Sequence, residues 1–184
     1  MIKIYVGKSA SGKDTFLKKD IASGEYLPIV TYTTRPMREG EVDGVDYKFV
    51  TKDQFFALDL TGQIAEKRSY DTLVAGMPDT WYYGSPKIED PDKRNYVTIL
   101  DVNGAMEYIR IYGPEAIQIV FVYVPNDIRK RRAMKRGSFD ETEWLRREAD
   151  DDIKFSGEKI DELRETGVIV SILNNSREEA AYGV

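Results

Sequence analysis

Hydrophobic positions in this chain fall into short blocks separated by polar stretches. Ile2, Ile4 and Val6 form an apolar run closing at Gly7, the pattern of a strand buried in a parallel sheet. A helix is expected over roughly 13–22, broken at Ser23-Gly24-Glu25, and Pro28 biases Leu27 towards extended backbone. Ile29 to Thr33 reads as a second strand and residues 46–50 as an alternating third. Thr51-Lys52-Asp53 caps an amphipathic helix running to about Leu60. Gln63 to Glu66 reads as a strand, and Lys67 to Thr80 as a long loop before the aromatic run Trp81-Tyr82-Tyr83. Further buried strands are predicted at Tyr96–Leu100, Ile117–Val124 and Val168–Leu173. A helix over Ala105–Tyr112 stops at Gly113-Pro114. Two more helices flank Gly137-Ser138, the second starting near Asp140, and Asn174-Asn175-Ser176 would cap a terminal one. Five core strands alternating with helices predict an α/β fold with a mainly parallel sheet.

The chemistry begins where the first strand ends. Gly7-Lys8-Ser9-Ala10-Ser11-Gly12-Lys13 fits G-x-x-x-x-G-K between a strand and a helix, the setting of a phosphate-binding loop. Its glycines let backbone N–H groups converge on phosphate oxygens, the helix N-terminus adds partial positive charge, and Lys13 adds a full one. Nucleotide phosphate is thus expected on Gly7, Ser9, Ala10, Ser11, Gly12, Lys13, Asp14 and Thr15. Asp14 stands where the pattern has Ser or Thr. It can offer Mg²⁺ a hard oxygen, favour the helix N-terminus, or both, while Thr15 can supply the missing hydroxyl. Asp101, at the end of a buried strand, is a further candidate magnesium-associated acid.

Between the second and third strands, residues 34–47 are too rich in Gly, Pro and charge for a core element. Arg35 and Arg38 there suit a phosphate dianion, which guanidinium groups grip with two parallel hydrogen bonds. The run Thr-Thr-Arg-Pro-x-Arg-x-Gly-Glu-Val-x-Gly-x-Asp-Tyr at 33–47 resembles the substrate-phosphate signature of guanylate kinases, and Tyr-Tyr-Gly-Ser at 82–85 resembles a second element of that family.

The resemblance implies a P-loop NTPase-type three-layer fold. Its core would be 1–33, 87–125 and 151–184, its small, partly β monophosphate-binding insert 34–86, and its helical lid 126–150. It implies transfer of the γ-phosphate of ATP to GMP or dGMP with Mg²⁺. Arg35, Arg38, Tyr47 and Tyr83 would hold the GMP phosphate, and Thr31, Glu66 and Ser85 would lie at the base. Asp101 and Asn103, at two further family positions that usually carry Asp, would also contact GMP. Lys13, Arg132, Arg136 and Arg147 would neutralise charge on the transferring group. Another (deoxy)nucleoside monophosphate kinase on this scaffold, or a related protein-binding module without catalysis, remains open.

Composition narrows the classes. Without cysteine or histidine among its 184 residues, the chain cannot use disulfides, thiol nucleophiles, Cys/His zinc sites or imidazole bases. A formal net charge of -5 argues against a nucleic-acid partner. No apolar run reaches membrane-spanning length, and Met1 leads directly into the first strand, so no membrane partner and a cytoplasmic location are expected.

Overall fold

In the computed structural model, residues 1–74, 76–135 and 139–176 are described. In chain order the elements are β1 (Ile2–Val6), α1 (Lys13–Ala22), β2 (Leu27–Pro28), β3 (Tyr32–Thr33), β4 (Lys48–Phe49), α2 (Lys52–Leu60), β5 (Ile64–Val74) and β6 (Met77–Pro86). They continue with β7 (Tyr96–Ile99), α3 (Val102–Tyr112), a 3₁₀ turn (Pro114–Ala116), β8 (Ile117–Tyr123), α4 (Asn126–Lys135), α5 (Glu141–Lys154), α6 (Gly157–Glu165) and β9 (Ile169–Asn174). Two compact units result: Met1–Pro28 with the described residues from Pro91 onward, and Ile29–Asp90.

The first unit is built on a five-stranded, all-parallel sheet in the order β2-β7-β1-β8-β9. Parallel strands carry helices on both faces, and β1 shows the consequence. Ile2, Ile4 and Val6 are fully buried on one face. On the other, Lys3 and Tyr5 both reach Asp20 of α1, at 3.0 and 2.8 Å. Tyr5, Val97, Val120 and Val122 form a buried cluster against Phe16, Leu17 and Ile21 of α1. Each such side chain contributes about 1.5–3 kcal/mol by leaving water. α3 contacts β1 and β8, and α6 contacts β9.

The second unit holds a four-stranded sheet in the order β4-β3-β6-β5, with β3 parallel to β4 and both other pairings antiparallel. Thr51 caps α2 in a full capping box with Gln54. Phe55 of α2 is completely buried and tilts against Tyr82 of β6 at 5.7 Å between centroids.

Several sequence expectations are corrected. The second core strand lies at Leu27–Pro28 rather than 29–33, of which only Tyr32–Thr33 is strand, in the four-stranded sheet of the second unit. Pro28 has no N–H to continue a ladder, so β2 is a short sheet edge and the chain leaves after it. Residues 67–80 are not a loop: β5 and β6 form one continuous hairpin in unbroken register from Glu66↔Ser85 to Val74↔Met77. Tyr70 stacks on Trp81 at 6.2 Å, Thr80 donates to Asp71 at 2.8 Å, and Gly76 takes φ +80° beside the turn. α3 starts at Val102 rather than Ala105, because Asp101 caps it by accepting from the Gly104 N–H at 2.9 Å. α5 runs past the expected lid boundary to Lys154, and α6 follows, capped by Ser156. The expected turn at Gly137-Ser138 and the expected terminal helix after Ser176 lie outside the described residues.

Candidate active site

The phosphate loop joins β1 to α1. Gly7 has φ +145°, and a Cβ there would come within 2.6 Å of the Val122 carbonyl oxygen, so only glycine lets the loop pass β8 this closely. Gly12 turns the chain into α1 with φ +91°, where a Cβ would meet the Asn175 side chain at 2.7 Å. Ala10, without glycine's freedom, is also left-handed at φ +59°. The Lys13 ammonium bridges the carbonyls of Gly7 at 2.6 Å and Lys8 at 2.9 Å, folding over the loop it serves. Ser11 is fully buried; Asp14 and Thr15 stand exposed in the first turn of α1.

The helices expected to form a lid are bound to this loop. The Arg132 guanidinium, buried, donates to the Ser11 carbonyl at 3.4 Å and the Asn175 carbonyl at 2.8 Å. These bonds tie the expected lid arginine to the backbone of the loop. Arg129, just 2% exposed, forks onto Glu148 of α5 at 2.9 and 2.6 Å and also reaches the Ser9 carbonyl at 3.3 Å. From α5, Asp151 accepts the Ser9 N–H at 2.6 Å, and Asp152 pairs with Lys8. Arg147 lies on the outer surface of α5, donating to Glu143 at 2.6 Å; Arg146 and Arg147 together hold the Glu143 carboxyl down at about 2. Arg136 lies outside the described residues.

The second unit gathers most of the expected monophosphate residues. On the β5–β6 hairpin, buried Glu66 accepts from the Ser85 hydroxyl at 2.7 Å, and Ser85 in turn lies 3.4 Å from the Thr31 hydroxyl. This chain of hydroxyls, with the Arg68 guanidinium 3.2 Å from Oε1, fixes the buried carboxylate in place. Nearby in the same unit, the Arg35 guanidinium packs at 5.3 Å from the Tyr47 ring centre, and the Tyr47 and Tyr83 rings meet edge to face at 6.1 Å. Arg35 is buried and forks onto Glu41, which raises its pKa and pulls the Glu41 carboxyl down to about 2. Arg38 is exposed, its backbone N–H donating to Glu41 at 2.7 Å.

Two further expected monophosphate ligands are supplied by the other unit. Asp101 and Asn103 belong to the parallel-sheet unit, where Asp101 caps α3 and Asn103 is exposed in its first turn. Conversely, sequence reasoning assigned no site role to Glu41, Arg68, Asn175 or the acids of α5. Glu41 was within the quoted 33–47 signature and Arg68 sits two residues from its partner Glu66; Asn175 and Asp151 carried no local signal, since their loop partners are remote in sequence.

A family model described as guanylate kinase matches residues 2–181. The guanylate kinase of Chlorobium luteolum is 32% identical over 145 residues, covering 75% of this chain and 68% of that protein. That of Legionella pneumophila (strain Lens) is 33% identical over 139 residues, covering 72% and 62%. That of Oceanobacillus iheyensis is 34% identical over 146 residues, covering 73% and 64%. The matches thus span about two thirds of these relatives' own lengths. In three dimensions the chain resembles the crystal structure of guanylate kinase from Anaplasma phagocytophilum, with a TM-score of 0.59, 20% identity and coverage of 98% of this chain and 80% of that one. At that identity the likeness speaks for the fold.

Proposed function

The chain belongs to the guanylate kinase family, and on that premise we propose that it transfers the γ-phosphoryl group of ATP to GMP or dGMP, giving ADP and the nucleoside diphosphate. The observation that carries this reading is Glu66: a buried carboxylate, braced by Ser85 and through it by Thr31, in the unit that also holds Arg35, Tyr47 and Tyr83. Guanine presents a ring N–H and an exocyclic amine side by side, two donors that one carboxylate accepts together. Adenine has no ring donor at that edge.

The GMP phosphate oxygen is already a competent nucleophile, so attack on the γ-phosphorus with departure of ADP needs no strong protein base. The protein supplies alignment and charge neutralisation. Lys13 and the N–H groups of the loop take the ATP phosphates, with Arg132 bracing the loop through Ser11. Arg35 and Arg38, with the hydroxyls of Tyr47 and Tyr83, take the GMP phosphate. Arg147 contributes charge once it leaves Glu143, and Arg136 completes the set proposed from the family pattern.

Mg²⁺ belongs with the ATP. The residues fit a metal that arrives on phosphate: no cluster of three acids forms a ready cage among the described residues, and Asp14 and Thr15 present exposed oxygens at the start of α1. One oxygen of Asp101 is engaged on the Gly104 N–H, which restricts its part to the other. When bound, the ion supplies charge neutralisation on the β- and γ-phosphates. No helix among the described residues is long and apolar enough to cross a membrane; a cytoplasmic location and small-molecule substrates rather than nucleic acid go with the proposed activity. A coupled assay of ADP formation with ATP·Mg and each of GMP, dGMP, AMP, UMP, CMP and dTMP tests it: turnover should be confined to the guanine nucleotides.

A further inference from the structure

The β5–β6 ladder sets four residues in a block on one face of the hairpin: Glu66 opposite Ser85, and Arg68 opposite Tyr83. Glu66 and Arg68 are two apart on one strand and Ser85 and Tyr83 two apart on the other, so all four side chains leave the sheet on the same side. Three of them carry the proposed guanine and phosphate contacts. The fourth corner, Arg68, has no assigned role.

Its contacts point to one. Nη1 of Arg68 donates to Glu66 Oε1 at 3.2 Å, the oxygen that also accepts from Ser85, and the guanidinium carbon lies 5.8 Å from the Tyr83 ring centre. Arg68 thereby touches both the base-reading carboxylate and the tyrosine of the phosphate group. Its side chain is one third exposed and that of Glu66 nearly buried, so the positive charge enters from the open side of the block. The neighbouring Lys67 points to the other face and pairs with Asp59. The arginine at 68 is therefore directed into the site by strand alternation, and Tyr83 limits where its guanidinium can move.

We propose that Arg68 is a positioning residue for base recognition. With Ser85 it engages Glu66 Oε1 from two sides, fixing the rotation of the carboxylate in the plane that faces the two guanine donors and offsetting the cost of burying its charge. Two donors on one oxygen define that plane better than Ser85 alone. This inference rests on the assignment of Glu66 as the guanine reader.

A double-mutant cycle separates the inference from that assignment. GMP dissociation constants, and kcat/KM for GMP, AMP and ATP, are measured for wild type, Glu66→Gln, Arg68→Ala, Arg68→Lys and the Glu66→Gln/Arg68→Ala pair. Arg68→Ala is expected to weaken GMP roughly tenfold and narrow the GMP-over-AMP preference to a similar degree, with ATP affinity unchanged. Arg68→Lys, which keeps a donor within reach of Oε1, should recover much of the loss. In the Glu66→Gln background the alanine should add less than about a twofold effect. Additive effects in the pair, or equal losses for GMP and AMP, would overturn the positioning role while leaving Glu66 as the reader. A Glu66→Gln variant that binds GMP normally would instead overturn the assignment on which the inference rests.

Discussion

Arg35 and Glu41 are locked together by a fork of two hydrogen bonds, Nη1 to Oε2 at 3.0 Å and Nη2 to Oε1 at 2.7 Å. The same carboxylate accepts the Arg38 N–H at 2.7 Å, so one acidic residue orders both arginines of the expected phosphate segment. The arginine proposed to meet the monophosphate is thus preorganised by an internal anion.

A pH dependence follows from that pair. Hydrogen bonding to Arg35 lowers the Glu41 carboxyl from 4.5 to about 2 in the folded protein. A depressed carboxyl stabilises the fold above its unfolded value, and the contribution fades as pH falls from 4.5 towards 2. Glu41→Gln should therefore lose less melting temperature than wild type across that window. Parallel thermal melts check it; identical slopes would mean the pair contributes nothing to stability.

Exposed Arg38 offers the cleaner kinetic test of the phosphate segment, since buried Arg35 cannot be removed without stranding Glu41. Arg38→Ala should raise the KM for GMP about tenfold and leave the KM for ATP within about twofold, a difference of roughly 1.4 kcal/mol in substrate binding. Steady-state kinetics with each substrate varied in turn will show whether the loss falls on GMP.

Lys13→Ala should leave a folded protein with turnover lowered by at least about a hundredfold, the scale for losing one preorganised charge on a reacting group. The Lys13 ammonium bonds to the Gly7 and Lys8 carbonyls and the Ser11 hydroxyl, all within the loop. Circular dichroism and rate measurements on the same sample separate the two effects.

On α5, Asp151 places a negative charge on the Ser9 N–H, inside the loop expected to bind a polyanion. Asp151→Asn keeps an oxygen acceptor and deletes the charge. The KM for ATP should fall by roughly three- to tenfold, most clearly at low salt, where screening is weakest. An unchanged or raised KM would show that the carboxylate supports the loop without opposing ATP.

Legibility in the sequence followed the range of the interactions. The phosphate loop, the caps at Thr51 and Asp140 and the apolar strand at 117–123 carry patterns set by residues a few positions apart, and those patterns announce them. The hairpin at 64–86 did not, because in a stretch such as Arg68 to Thr72 the half-buried positions are largely polar and show no apolar alternation; cross-strand pairs such as Tyr70 with Trp81 hold it instead. The lid arginines were legible as a helical stripe, but not their partners. Arg129 bonds to Ser9, 120 residues away, and Arg132 to Ser11, 121 away. Thr31, Glu66 and Ser85 were found by family resemblance, yet the chain of hydrogen bonds joining them needed three dimensions.

The account turns on guanine being read by Glu66, and the most direct measurement is kcat/KM for GMP and for AMP, each with saturating ATP·Mg, in wild type and Glu66→Gln. Wild type should favour GMP by orders of magnitude, since a buried carboxylate facing the unprotonated ring nitrogen of adenine is left unsatisfied. The glutamine variant should lose roughly 2–4 kcal/mol of transition-state stabilisation with GMP, while its ATP affinity stays the same. A wild-type preference for AMP, or a glutamine variant that matches wild type with GMP, would contradict the account.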